Sequence, residues 1–214
     1  VSTKLIGALT MAHGDQRGLK LPPMVATVQI VVIPVAQHKA GVLEKAREIA
    51  ASLKAAGVRV EVDERDQSVG WKFNEWEMKG APLRIEIGPR DIENGVAVFS
   101  RRDTHEKGTI ALGDISAKVP ALLDDIHETM FRQSSDFLHS HIVECHDMAS
   151  FNDALAKHCF VKAMWCGCRE CEDAIKAETA ASARALPFDQ TPVGDTCVYC
   201  GRKAEHTVVF AKSY

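Results

Sequence analysis

Val28-Gln29-Ile30-Val31-Val32-Ile33-Pro34-Val35, the segment Gly41–Gly57 and then Val58-Arg59-Val60-Glu61-Val62 decide the fold class. The first run is β-branched and apolar almost throughout, the pattern of a buried parallel strand. In the second, Leu43, Ala46, Ile49, Ala50 and Leu53 recur at helical spacing, and Gly57 supplies a C-terminal cap. The third alternates apolar and charged residues, so it is a strand with one wet face. Strand, helix and strand in this order make a βαβ unit with a right-handed crossover.

Downstream, the pattern predicts a helix over Lys72–Lys79, a strand Leu83–Ile87, a turn at Glu93-Asn94-Gly95 and a strand Val96–Ser100. A loop at Asp103–Gly108 and a short strand Thr109–Leu112 follow. A long amphipathic helix then runs to about His139, with Pro120 best placed in its first turn. Upstream, Leu5–Met11 reads as a strand, His13–Gly18 as a polar turn, and Pro22-Pro23 as an extended linker. Beyond the long helix come a short helix at Phe151–His158, a strand Phe160–Trp165 and a last strand Val208–Ala211. The expected fold is α/β: a domain over about residues 26–130 with a mostly parallel mixed sheet, then a smaller α+β domain over 131–214, after a short leading piece, 1–25.

The chain has 214 residues, 46% hydrophobic and 26% charged, with a net charge of −3. That is ordinary globular composition, enough for one or two cores. No global basic field advertises nucleic acid, so any RNA contact has to come from local patches. The longest apolar run is too short to span a bilayer, and no membrane partner is expected. No secretory signal is read, which points to a reducing, cytoplasmic setting. The chain opens on Val1 rather than Met, so either the numbering is arbitrary or a C-terminal piece of a longer protein is expected.

Seven cysteines are an odd count, and four of them form two close pairs, Cys166-x4-Cys171 and Cys197-x2-Cys200. Two such pairs can converge on one tetrahedral ion. Thiolates suit Zn2+, and four of them leave no open position, so the ion would be structural. Gly167, Gly194 and Gly201 suit the tight turns this needs. Cys168 lies inside the first pair and competes as a ligand, and His206 is an alternative one. Cys145 and Cys159 read as ordinary buried thiols.

Gly70-Trp71-Lys72-Phe73-Asn74-Glu75-Trp76-Glu77-Met78-Lys79-Gly80-Ala81-Pro82-Leu83-Arg84-Ile85-Glu86-Ile87-Gly88-Pro89-Arg90-Asp91 is the densest charged and aromatic stretch. Aromatics stack on splayed RNA bases, Lys and Arg hold phosphates or purine acceptors, and carboxylates accept from exocyclic amines. The plainer reading is an amphipathic helix ending at Gly80, then a solvated edge strand.

This stretch, the paired cysteines and the segment Gly7–Leu19 together resemble the archaeal/eukaryotic-type prolyl-tRNA synthetases, and the resemblance runs from Val1 to Tyr214. It implies an anticodon-binding domain whose face carries Lys72, Phe73, Glu75, Glu77, Lys79 and Arg84. Trp71 and Trp76 stay open between core positions and stacking platforms. It implies a C-terminal zinc domain with Cys166, Cys171, Cys197 and Cys200 as ligands, closed by Tyr214. Gly7–Leu19 resembles motif 3 of class II synthetases, where a strand leads to an ATP-binding arginine, which maps to Arg17. Residues 1–25 would then end a class II antiparallel catalytic domain.

The implied reaction is attachment of proline to tRNA-Pro through prolyl-adenylate, with proline, ATP and Mg2+ as reactants and cofactor of a complete, homodimeric enzyme. Motifs 1 and 2 are absent from these residues, so the 214 residues alone are expected to be inactive. No nucleophile–base pair stands out. The rival reading is a stand-alone tRNA-binding, regulatory zinc protein derived from a synthetase tail.

Overall fold

The computed structural model describes residues 2–212; the expectation placed on Tyr214 lies outside them. The chain divides into two compact units, Val1–Ser134 and Ser135–Tyr214.

The first unit runs α1 (Lys4–His13), β1 (Ile30–Pro34), α2 (Val42–Ala55), β2 (Val60–Val62), α3 (Val69–Lys79), β3 (Leu83–Ile87), α4 (Pro89–Glu93), β4 (Val96–Arg101) and β5 (Lys107–Ala111). The long helix α5 (Ile115–Ser140) follows. The sheet order is β2-β1-β3-β4-β5. β1 pairs parallel with β2 and β3, as the βαβ pattern predicts. β3–β4 and β4–β5 are antiparallel, so the sheet is evenly mixed rather than mostly parallel. The connections from β3 to β5 are too short for the crossover a parallel pairing needs.

Strand alternation sorts the side chains onto two faces. Ile30 and Val32 of β1 join Leu83, Ile85 and Ile87 of β3 under Ala46, Ile49, Ala50 and Leu53 of α2. Ile115, Val119, Leu123, Ile126 and Met130 of α5 complete that core. Val31 and Ile33 face the other way and pack with Trp76 and Ala81, with Phe73 and Val28 at the margin. Helix α3 therefore covers the second face. The same alternation turns Arg84 and Glu86 away from the first core, because Leu83, Ile85 and Ile87 fill it.

Two local expectations are corrected. Leu5–Met11 is helical, not extended, and α1 buries none of its residues. Lys, Leu, Ala and Met favour helix, and a lone strand has no neighbour to satisfy its backbone, whereas a helix bonds to itself. Helix α5 begins at Ile115, ahead of Pro120, which lies inside it. A proline there removes the bond to the carbonyl four residues back, and its ring crowds that carbonyl, a cost the packing of α5 on the sheet has to offset.

The second unit runs β6 (Ile142–Cys145), α6 (Met148–Ala156), β7 (Phe160–Trp165), α7 (Arg169–Thr179), β8 (Ala181–Ala185) and β9 (His206–Lys212), in a sheet of order β6-β7-β9-β8. Its core holds Phe151, Val161, Ala163, Ile175, Val208 and Phe210. Phe151 and Phe210 meet edge to face with centroids 5.5 Å apart.

Candidate nucleic-acid interface and metal site

Helix α3 starts where Ser68 caps it, the hydroxyl accepting from the Trp71 N–H, and stops at Gly80, whose φ of +77° suits glycine. Leu19 packs so close to Gly80 that an added Cβ would fall 2.7 Å from its own Cβ.

Asp63, on the loop after β2, is the hub beneath α3. Its Oδ2 accepts from Trp76 Nε1 at 2.8 Å and from Arg65 Nη2 at 2.7 Å, and its Oδ1 accepts from Arg65 Nε at 2.9 Å. Burial alone would raise this carboxyl, but the bonds from Arg65 and Trp76 outweigh it and hold the pKa at about 2.

The six residues expected on the reading face separate into two groups. Lys72 is 1% exposed. Its ammonium donates inward to the Asp63 carbonyl at 2.9 Å and to Gln37 Oε1 at 3.2 Å. Glu75 joins Arg65 and Lys79, with Lys79 Nζ 2.6 Å away. Those two partners lower its pKa, Arg65 contributing more. Lys79 also sits 4.9 Å over the Trp76 ring. These three brace α3 and its loop. Trp76 is a core residue, while Trp71 is exposed beneath the Arg65 guanidinium.

Phe73, Glu77 and Arg84 come together in a cavity of about 220 Å³. The Arg84 guanidinium lies 3.9 Å over the Phe73 ring, with Nε bonded to Glu86 at 2.9 Å. Glu77 is paired with Arg17 at 3.0 Å and faces His105 Nδ1 at 3.5 Å. Lys107 stands at the same wall. Arg101 and Arg102 also line it, but Arg101 is engaged by Asp103 and Asp125, and Arg102 by Asp15. The sequence reading missed this basic wall; the adjacent Arg101-Arg102 pair ending a strand is its visible trace. The segment that precedes Arg17 is the helix α1, where the sequence pattern predicts a strand.

In the second unit the ligand sulfurs of Cys166, Cys171, Cys197 and Cys200 all lie within 4.8 Å of one another. Cys166 and Cys171 are 3.6 Å apart, and Cys200 and Cys166 3.8 Å. A disulfide requires about 2.05 Å. A tetrahedral ion with metal–sulfur bonds of about 2.3 Å sets its sulfurs about 3.8 Å apart, so the cluster is compatible with zinc. Cys166 follows β7, Cys171 lies in the first turn of α7, and Cys197 and Cys200 flank a turn closed by Gly201 N–H to the Cys197 carbonyl at 2.9 Å. Gly167 and Gly201 both have positive φ, as the turns demand. Burial pushes the Cys171 thiol up to about 12, whereas Arg202, donating from Nε at 3.4 Å, holds Cys200 at about 6. The Cys168 thiol turns instead to Glu170 at 2.8 Å, and His206 stands beside Trp165. Neither belongs to the four.

Comparison with known proteins matches a domain in each unit. Residues 29–122 match the model of an anticodon binding domain. Residues 148–214 match that of the prolyl-tRNA synthetase C-terminal domain. The whole chain is 50% identical to proline-tRNA ligase of Clostridium botulinum (strain ATCC 19397 / Type A) and to proline-tRNA ligase 2 of Clostridioides difficile (strain 630). It is 46% identical to proline-tRNA ligase of Clostridium novyi (strain NT). In each case it covers 45% of the relative, so the chain spans just under half the length of the proteins it matches. With an anticodon binding domain and the family's own C-terminal domain in series, the chain belongs to the prolyl-tRNA synthetase family and carries its C-terminal portion.

Proposed function

We propose that this chain serves a proline-tRNA ligase that joins proline to tRNA-Pro through prolyl-adenylate, and that its own part is to read the anticodon. The carrying observation is the cavity where Arg84, stacked on Phe73, meets Glu77. A proline anticodon contains two guanines. A guanine offers N7 and O6 to a cation and its exocyclic amine to a carboxylate. Arg84 presents a planar stacking surface and its remaining N–H donors, Glu77 an acceptor, and Arg17, His105 and Lys107 positive charge for the backbone. Lys72, Glu75 and Lys79 act one step back, by holding α3 in place.

On this reading residues 1–25 close a class II catalytic domain, about 26–130 form the anticodon domain, and 131–214 the zinc domain. Cys166, Cys171, Cys197 and Cys200 hold a structural Zn2+, which when bound ties the start of α7 to the turn before β9. ATP, Mg2+, proline and a homodimeric arrangement belong to the complete cytoplasmic enzyme. Relatives that match along the whole chain are ligases, which favours this reading over a stand-alone regulatory module. The test is charging of tRNA-Pro by the complete protein with proline and ATP–Mg2+. Charging with proline supports the assignment, and charging with a different amino acid alone refutes it.

A further inference from the structure

We infer that Arg102 is a positioning residue that clamps the segment 14–21 to the last turn of α3, so that tRNA engagement at α3 is passed to the part of the enzyme preceding Asp15. This rests on the reading of α3 as part of the tRNA-binding face.

One buried guanidinium makes both halves of the clamp. Arg102 Nη2 and Nη1 donate to the two carboxylate oxygens of Asp15 at 2.6 and 2.9 Å, and Nε donates to the Glu77 carbonyl at 3.0 Å. Its side chain is 4% exposed. A rigid planar fork fixes angle as well as distance, which a lysine cannot reproduce.

The backbone leaves no slack around it. Leu19 N–H donates to the Met78 carbonyl at 3.0 Å, and Leu21 N–H to that of Gly80 at 3.2 Å. Gly18 has φ +129°, and a Cβ there would lie 2.5 Å from the Met78 Cα. Lys20 Nζ approaches the Asp15 carboxylate from another side, at 3.2 Å. A shift of the last turn of α3 therefore moves Asp15 with it instead of being absorbed by a loop. Glu77 belongs to that turn and serves both ends: its side chain faces the cavity and its carbonyl holds Arg102.

The test uses the complete enzyme carrying Asp15→Asn, with Arg102→Lys as the second variant. ATP–pyrophosphate exchange without tRNA, direct tRNA-Pro binding, and kcat and KM for aminoacylation are measured side by side. The expected result is an aminoacylation kcat lowered ~10- to 100-fold, the scale of a misplacement of about 1 Å, and a clearly smaller loss in exchange and in tRNA binding. The double variant should be no worse than the single ones, since all remove one interaction. An unchanged kcat overturns the inference, as does a loss shared equally by exchange or binding, which marks general disruption. If Glu77 and Arg84 variants bind tRNA normally, it is the tRNA-face reading that fails; if those variants lose binding and Asp15→Asn charges normally, only the clamp fails.

Discussion

The indole N–H of Trp76 donates to Asp63 Oδ2 at 2.8 Å, tying the tryptophan that α3 buries to the loop after β2. The same aspartate takes the Arg65 fork through its carboxylate and the Lys72 ammonium through its carbonyl. The charged residues that make this stretch conspicuous are thus partly internal scaffolding. Phe73, Glu77 and Arg84 are presented on it.

Acid should loosen this scaffold in a defined window. The Asp63 carboxyl is held at about 2 against an ordinary value of 3.8. A depressed acid contributes stability that is complete above its ordinary pKa and lost as pH falls through the folded one. Urea midpoints of the first unit should therefore fall between about pH 4 and pH 2. Asp63→Asn should remove that part of the slope; an identical slope in the variant would show that Asp63 does not carry it.

Lys72→Met should cost about 3 kcal/mol in urea unfolding of the first unit, because it removes a buried cation and leaves the Asp63 carbonyl and Gln37 without their donor. A residue that contacts RNA from the surface would behave oppositely, with stability intact and tRNA binding weakened.

Zinc content should be about one per chain. Cys197→Ser should lower it and expose the amides of α7 and β9 to hydrogen exchange, leaving the protection of β1 and β3 unchanged. Equal protection of α7 and β9 with and without metal would argue against a structural ion.

Much of this was legible in the chain itself. The βαβ unit could be read because the apolar spacing of Ala46, Ile49, Ala50 and Leu53 is set by core contacts within one short segment. The convergence of the four thiols could be read because the spacing of Cys166, Cys171, Cys197 and Cys200 is itself the signal. Lys72 hid its role because a charge at a core position is explained only by Asp63 and Gln37, which lie on other elements. Arg102 finds Asp15 far away in the chain, a pairing no local pattern contains. Leu5–Met11 carries an apolar run that suits either strand or helix, and only the presence or absence of a neighbouring strand decides between them.

The central claim is base-specific anticodon reading at Phe73, Glu77 and Arg84. It is tested by binding this chain to tRNA-Pro and to the same tRNA with both anticodon guanines replaced, at one salt concentration. Replacement should weaken binding by about 1–3 kcal/mol per guanine. In Glu77→Gln or Arg84→Ala the difference between the two tRNAs should shrink. Equal affinity of the unaltered chain for both tRNAs would contradict the claim, since it would leave only contacts to the phosphate backbone.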